Sequence, residues 1–169
     1  MSTGEQHRQT LLAALEREAR LGSAMGVLFS QAVADRVGIT PSELETLDLF
    51  NLYGAMTPGR LAELTGLTTG GVTRLIDRLE RGGFVRREPD PNDRRKVILQ
   101  PLQPQNEACI GPYYESLGAR MYELTDGFSD AELKLLLKHA RGAREIMQDE
   151  VAKIRGRIAA HDGEGSATA

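Results

Sequence analysis

Tryptophan is absent from this 169-residue sequence, cysteine occurs once, histidine three times, and aromatic residues make up only 5%. A single cysteine, Cys109, excludes an internal disulfide and any zinc centre built from cysteines. His7, His139 and His161 lie far apart, so no histidine pair has metal-ligand spacing, and neither a metal nor a cofactor is expected. No run approaches the roughly 18 uncharged apolar residues of a membrane helix. Met1 to Gln9 is polar and lacks the apolar core of a secretory signal. The expectation is a cytoplasmic protein with no membrane partner. Nucleotide-binding glycine loops, a Gly-x-Ser-x-Gly elbow and a His-Glu-x-x-His pair are all missing, and the carboxylates fall where helix faces need solvation, so no enzyme is expected.

What is present is an ordinary globular composition, 40% apolar and 27% charged, too apolar for a disordered chain. The net charge of −3 is unevenly spread. From Arg60 to Gln100 nine bases face six acids, a local +3, which leaves −6 on the remainder. An acidic body with a basic middle points an anionic partner at the middle. The competing reading is a solvated charged surface.

The pattern along the chain is mostly helical. Leu11, Leu15, Ala19, Gly22, Met25, Phe29 and Val33 recur at three- and four-residue steps and mark one face of a helix from about His7 to Arg36. Thr40-Pro41-Ser42-Glu43 is a capping box with proline at the first helical position. It opens a second helix through Leu44, Leu47, Leu49, Phe50 and Tyr53. Thr57-Pro58 opens a third, short helix through Leu61, Ala62 and Leu64, which Gly66 breaks. Thr68 caps a fourth, running to about Arg81, with Val72, Leu75, Ile76 and Leu79 inward. Gly70 and Gly71 in its first turn each cost about 1 kcal/mol relative to alanine, so something other than helix propensity favours a bare patch. Gly82-Gly83 ends it.

Phe84 to Glu88 and Lys96 to Gln100 read as the strands of a hairpin around the turn-forming cluster Pro89-Asp90-Pro91-Asn92-Asp93. Helix resumes after Pro101 and Pro104, with Ile110, Tyr113 or Tyr114, Leu117, Met121 and Leu124 on one stripe. Gly111-Pro112 predicts a kink or a late start there. Ser129-Asp130-Ala131-Glu132 caps a long last helix whose stripe of Leu133, Leu136, Ala140, Ala143, Met147, Val151, Ile154 and Ile158 is a near-heptad seam with one stutter. Residues 161–169 are small and polar and are expected to be disordered.

Two short helices joined by a glycine turn and followed by a hairpin make a winged helix-turn-helix. Ala62 supplies the small residue at the helix crossing, Gly66 the turn and Val72 the aliphatic anchor. The expected fold is therefore mainly α with a small β-hairpin wing. It divides into an N-terminal dimerisation helix (1–37), a DNA-binding domain (38–101), C-terminal dimerisation helices (102–160) and the tail. Three long apolar stripes around so small a head point to a symmetric dimer.

From Ile39 to Leu99 the chain resembles the MarR family of bacterial transcriptional regulators. The resemblance is carried by Thr73-Arg74-Leu75-Ile76-Asp77-Arg78-Leu79-Glu80, by Gly82-Gly83-Phe84-Val85-Arg86-Arg87, and most of all by Pro91-Asn92-Asp93-Arg94-Arg95-Lys96-Val97-Ile98-Leu99. The last fits the family's wing pattern of Asp, any residue, Arg, three residues, Leu. It implies a homodimer on a palindromic operator of double-stranded DNA, often released by a small anionic or phenolic ligand. Gly111-Pro112 departs from the pattern, within the helix that links head to dimer interface.

The chemistry assigns roles. Thr68 and Thr69 at a helix N-terminus suit a phosphate. Arg74 suits a guanine edge and Thr73 a thymine methyl, while Gly70 and Gly71 let the helix approach the groove. Arg78 shares the basic face, the alternative being that Arg74 and Arg78 pair with Asp77 or Glu80. Arg94, just past the wing tip, suits a minor groove, with Lys96 nearby. Asp93 is expected to orient Arg95 by a salt bridge. Met25, Phe29, Tyr53, Tyr113 and Tyr114 are candidates to line an effector pocket, the alternative for each being core. The rival functions are a redox-responsive regulator of the same fold using Cys109, and a helical interaction module that does not bind DNA. Cys109 has no cation among its sequence neighbours to lower its pKa. Family members that sense peroxide through one cysteine carry it near the N-terminus.

Overall fold

A computed structural model describes residues 3–91 and 93–165, with side chains as far as 156, Asn92 excepted. Helices α1 (Thr3–Val37), α2 (Pro41–Tyr53), α3 (Pro58–Thr65) and α4 (Thr69–Arg81) precede the antiparallel strands β1 (Val85–Pro89) and β2 (Val97–Pro101). Helices α5 (Gln103–Cys109), α6 (Gly111–Thr125) and α7 (Asp130–Gly165) follow. The last helix runs past the expected end at 160. The rest of the expected tail, 166–169, and Asn92 of the wing turn lie outside the described residues.

The helix starts are set by local capping. The Thr40 hydroxyl accepts the Glu43 N–H while the Glu43 carboxylate accepts the Thr40 N–H, with Pro41 at the first helical position. Thr57 caps α3 through the Arg60 N–H and Thr68 caps α4 through the Gly71 N–H. Gly66 closes α3 in the left-handed conformation, at φ 73°.

One core joins these elements. Leu44, Leu47 and Phe50 of α2, Leu61 of α3, and Val72, Leu75, Ile76 and Leu79 of α4 are buried together with Phe84, Val85 and Leu99 of the hairpin. Val33 and Ala34 bring the C-terminal end of α1 onto it. Each such side chain contributes about 1.5–3 kcal/mol on burial. The strands pair from Val85 with Pro101 to Pro89 with Val97. Met56, just before α3, adds a two-bond bridge to Leu99, a pairing with no signature in the sequence pattern. The two glycines after α4 do different things. Gly83 has φ +75°, whereas a Cβ on Gly82 would lie 2.8 Å from the Phe84 ring.

The interruption expected at Gly111-Pro112 is there. α5 ends at Cys109, Ile110 stands between the helices, and α6 starts at Gly111. Pro112 has no N–H to continue the α5 ladder. By compactness the chain falls into two units. One ends at Ser116 and takes in α1, α5 and the start of α6; the other begins at Leu117. Burial of Asn106 and Ile110 ties α5 to the head.

Glu43 has a second task. Its carboxylate, 5% exposed, also receives the Nε–H of Arg78 on α4. Burial alone would raise its pKa. Hydrogen bonds from the Thr40 backbone and from Arg78 outweigh that and hold it below the usual carboxylate range. A depressed folded pKa gives stability that is complete above the unfolded value, near 4.3, and is lost as pH falls through the folded value. Glu43→Gln keeps the cap and loses the charge. Arg78 is 44% exposed, so solvent screens the pair. The variant is expected to be about 1–2 kcal/mol less stable at pH 7. Urea denaturation followed by circular dichroism should show that gap closing as pH falls below about 4.

Candidate nucleic-acid interface

The basic stretch separates into arginines that hold the head together and arginines that do not. Arg78 is bound to Glu43 of α2. Arg87 on β1 reaches back to α4, where Nη2 pairs with Asp77 at 2.5 Å and Nη1 pairs with Glu80. The Arg87 backbone N–H also donates to Glu80, at 3.1 Å. Burial pulls the Arg87 pKa down, but the Asp77 hydrogen bond and the charges of Glu80 and Asp77 reverse this, so the guanidinium stays charged. Arg86 pairs with Glu88, and Arg60 with Glu63. The Arg81 Nε–H donates to the Asp77 carbonyl.

Asp77 and Glu80 are thus the partners of Arg87, not of Arg74 or Arg78 on their own helix. Arg74 and Arg94 are exposed and make no ion pair or hydrogen bond among the described residues. Arg78, expected on the basic face, is instead largely occupied within the head, because α2 brings a buried carboxylate to it.

The outward side of α4 is sparse. Thr68 spends its acceptor on the Gly71 N–H and keeps its proton. The Thr69 and Gly70 N–H groups have no partner inside the helix. Thr73 donates its proton to the Thr69 carbonyl at 2.9 Å, which leaves its methyl group and a lone pair for other contacts. The two glycines are not equivalent. A Cβ on Gly71 would lie 3.3 Å from the Thr68 hydroxyl, whereas a Cβ on Gly70 would meet nothing within 4 Å. The internal packing therefore explains Gly71 and leaves Gly70 unexplained.

At the wing, Asp93 does what the sequence suggested. Its Oδ1 accepts both the backbone N–H and the Nε–H of Arg95, each at 3.2 Å. Lys96 Nζ stands 3.9 Å from Oδ2. The Arg95 side chain is nevertheless 92% exposed, so the pair orients it without covering it. Below the tip, the Asp90 N–H donates to the Lys96 carbonyl and the Lys96 N–H to the Asp93 carbonyl.

A short helix packed under an exposed one, with a basic hairpin beside it, is the geometry of a winged helix-turn-helix. The MarR family model matches residues 39–97, from the start of α2 to β2. The HTH-type transcriptional regulator YcgE of Bacillus subtilis (strain 168) is 37% identical over 155 residues, 92% of this chain and 99% of that protein. The chain belongs to the MarR family of DNA-binding transcriptional regulators. The multiple antibiotic resistance protein MarR of Salmonella typhimurium is 30% identical over 99 residues, 58% of this chain and 68% of that one. A MarR family protein from Bacillus stearothermophilus superposes with a TM-score of 0.63 at 25% identity, over 83% of this chain and 97% of that one. The mostly helical fold with its two-stranded wing is the MarR fold.

The effector candidates are scattered over this MarR-family chain. Met25 and Tyr53 are exposed, and Tyr113 packs against the core. Phe29 meets Tyr114 edge-on, with ring centroids 5.4 Å apart. Of the five, Tyr114 alone lines the cavity of the head between α2, α5 and the start of α6. That cavity also includes Asn106, which sequence reasoning missed because nothing sets it apart within Gln103-Pro104-Gln105-Asn106-Glu107. Cys109 is half-buried and its sulfur accepts from Gln105 at 3.4 Å. The fold brings Arg78 and Arg81 to the same surface depression, cations its sequence neighbours do not supply.

The contrast between the two glycines is testable. Gly70→Ala should stabilise the free protein by up to about 1 kcal/mol through helix propensity and yet weaken DNA binding, since its methyl projects from the outward side. Gly71→Ala should lower stability by crowding the cap. Thermal denaturation and duplex titration of both variants check this, and the opposite signs for Gly70→Ala are the informative result.

Proposed function

We propose that the protein is a homodimeric repressor that grips a pseudo-palindromic operator in duplex DNA and is released by a small molecule. The observation that carries the reading is the division of the arginines. Seven of the nine bases between Arg60 and Gln100 are engaged with a carboxylate or a backbone carbonyl, and the two with no such partner among the described residues, Arg74 and Arg94, stand on the helix and the wing. Arg74 can donate two parallel hydrogen bonds to a guanine edge in the major groove. Arg94 suits a narrow minor groove, whose negative potential attracts a guanidinium. Thr68, Thr69 and Gly70 meet a phosphate at the helix N-terminus. Thr73 lies beside them against a thymine methyl, and Arg95 and Lys96 add charge to the wing.

Dimerisation is supported by apolar side chains that the single chain leaves in water. Leu11, Leu15 and Met25 on α1, Met121 and Leu124 on α6, and Met147 and Ile154 on α7 are all about half exposed or more. Ile158, expected on the same stripe of α7, lies outside the described side chains. Two heads on one face of the duplex require half-sites about 10 base pairs apart.

The two arginines should fail differently. Arg94→Ala is expected to weaken binding to operator and random DNA alike. The slope of log affinity against log salt should fall by about 1 for each phosphate charge that is no longer neutralised. Arg74→Ala is expected to weaken mainly the operator complex, by roughly 1–3 kcal/mol, and to relax preference at one base per half-site. A salt series on both DNAs for each variant measures this. Unchanged affinities for Arg94→Ala would make the hairpin a solubilising surface and not a wing.

A further inference from the structure

The head holds a cavity of about 200 Å³ between α2, α5 and the start of α6. Its floor is Leu44, Leu47 and Ile110, all buried, together with Asn106. Asn106 is 6% exposed, and neither its Nδ2 nor its Oδ1 has a hydrogen-bond partner among the described residues. An amide so placed is costly, because its donors and acceptor have left water without replacement. No arginine or lysine lines this cavity; the charged groups at its rim are the carboxylates of Asp48 and Glu107. The Tyr114 ring closes one side and is itself braced edge-on by Phe29 of α1.

These features select a ligand. A closed apolar cavity of roughly 150 Å³ holds one benzene, so the present one has room for a single ring and a small polar group. A primary amide offers a donor and an acceptor side by side, and is matched by a group that presents the same pair reversed. Two rim carboxylates and no cation repel an anion. We propose that this cavity binds an uncharged, ring-sized molecule bearing an adjacent donor and acceptor, such as a carboxamide or lactam, through Asn106, and that it rejects carboxylates. This deepens the proposed release by a small molecule and rests on it for its regulatory meaning. Family resemblance suggests a small anionic or phenolic ligand, and the proposal departs from the anionic part of that class. The cavity floor and the Glu43–Arg78 pair share the first two turns of α2, so an occupant bears directly on the element that holds the recognition helix.

Benzamide and benzoate test the idea, since they share size and shape and differ in charge and donor. Both are titrated into the full-length protein while the side-chain amide signals are followed by nitrogen–proton NMR. Benzamide is expected to shift the Asn106 pair and to bind at least tenfold more tightly than benzoate. Asn106→Leu should abolish that preference. Gly111→Phe, which fills the cavity from its rim and leaves Asn106 in place, should abolish binding even if Asn106→Leu fails to fold. Equal or tighter binding of benzoate overturns the proposal. So does benzamide binding that leaves the Asn106 signals unmoved or survives in Gly111→Phe, and so does no binding of either probe. Retention of duplex DNA, measured without probe, keeps the two readings apart. If DNA is bound and benzamide is not, the ligand class fails alone; if benzamide is bound at Asn106 and DNA is not, the regulator reading fails alone.

Discussion

A helix that reads DNA has to bury one side firmly and leave the other bare, and α4 has only 13 residues in which to do both. Val72, Leu75, Ile76 and Leu79 supply the buried side. Hydrophobic contacts are non-directional, so by themselves they fix depth better than rotation about the helix axis. The charge pairs supply what the core does not. Glu43 holds α4 from α2 through Arg78, and Arg87 holds it from the wing through Asp77 and Glu80. These clasps also take up basic charge that would otherwise face solvent without direction. What remains unpaired among the described residues, Arg74 and Arg94, is small in amount and definite in place.

That arrangement explains which parts of the molecule could be read in the sequence. Thr40, Thr57 and Thr68 were legible as caps because capping is decided within four residues. Gly66 and the break at Gly111-Pro112 were legible for the same reason, and so was the pairing of Asp93 with Arg95. The pair of Glu43 with Arg78 spans 35 residues, and no local rule connects them. Asp77 and Glu80 were offered to their neighbours on α4 because helical spacing favours such pairs. The hairpin instead delivers Arg87 from another element, with both carboxylates in reach of its guanidinium and Glu80 also accepting its backbone N–H. Met56 and its bridge to Leu99 were invisible because an isolated pairing leaves no alternation to detect.

The cavity shows the limit of pattern reading more sharply. Of the five residues that the sequence offers as effector candidates, Met25 and Tyr53 are exposed, Phe29 and Tyr113 pack against the core, and Tyr114 lines the cavity. The group with unmet chemistry is Asn106, an ordinary polar residue in a polar segment, which the fold buries beside Leu44, Leu47 and Ile110. Gly111 and Pro112, which break the helix, also end α5 at the point where Ile110 turns into the core. The same local signal therefore marks both the interruption and the edge of the cavity.

Separation of committed from free arginines is what gives the head a defined DNA-facing side. Arginine side-chain nitrogen–proton NMR, recorded as duplex DNA is added, tests that most directly. The Nε signals of Arg74 and Arg94 are predicted to shift and broaden on binding. Those of Arg78 and Arg87 are predicted to stay where they are, still held by Glu43 and by the Asp77–Glu80 pair. Movement of the Arg78 or Arg87 signals with Arg74 and Arg94 unchanged would show that the clasps open to engage DNA, and would contradict this division of roles.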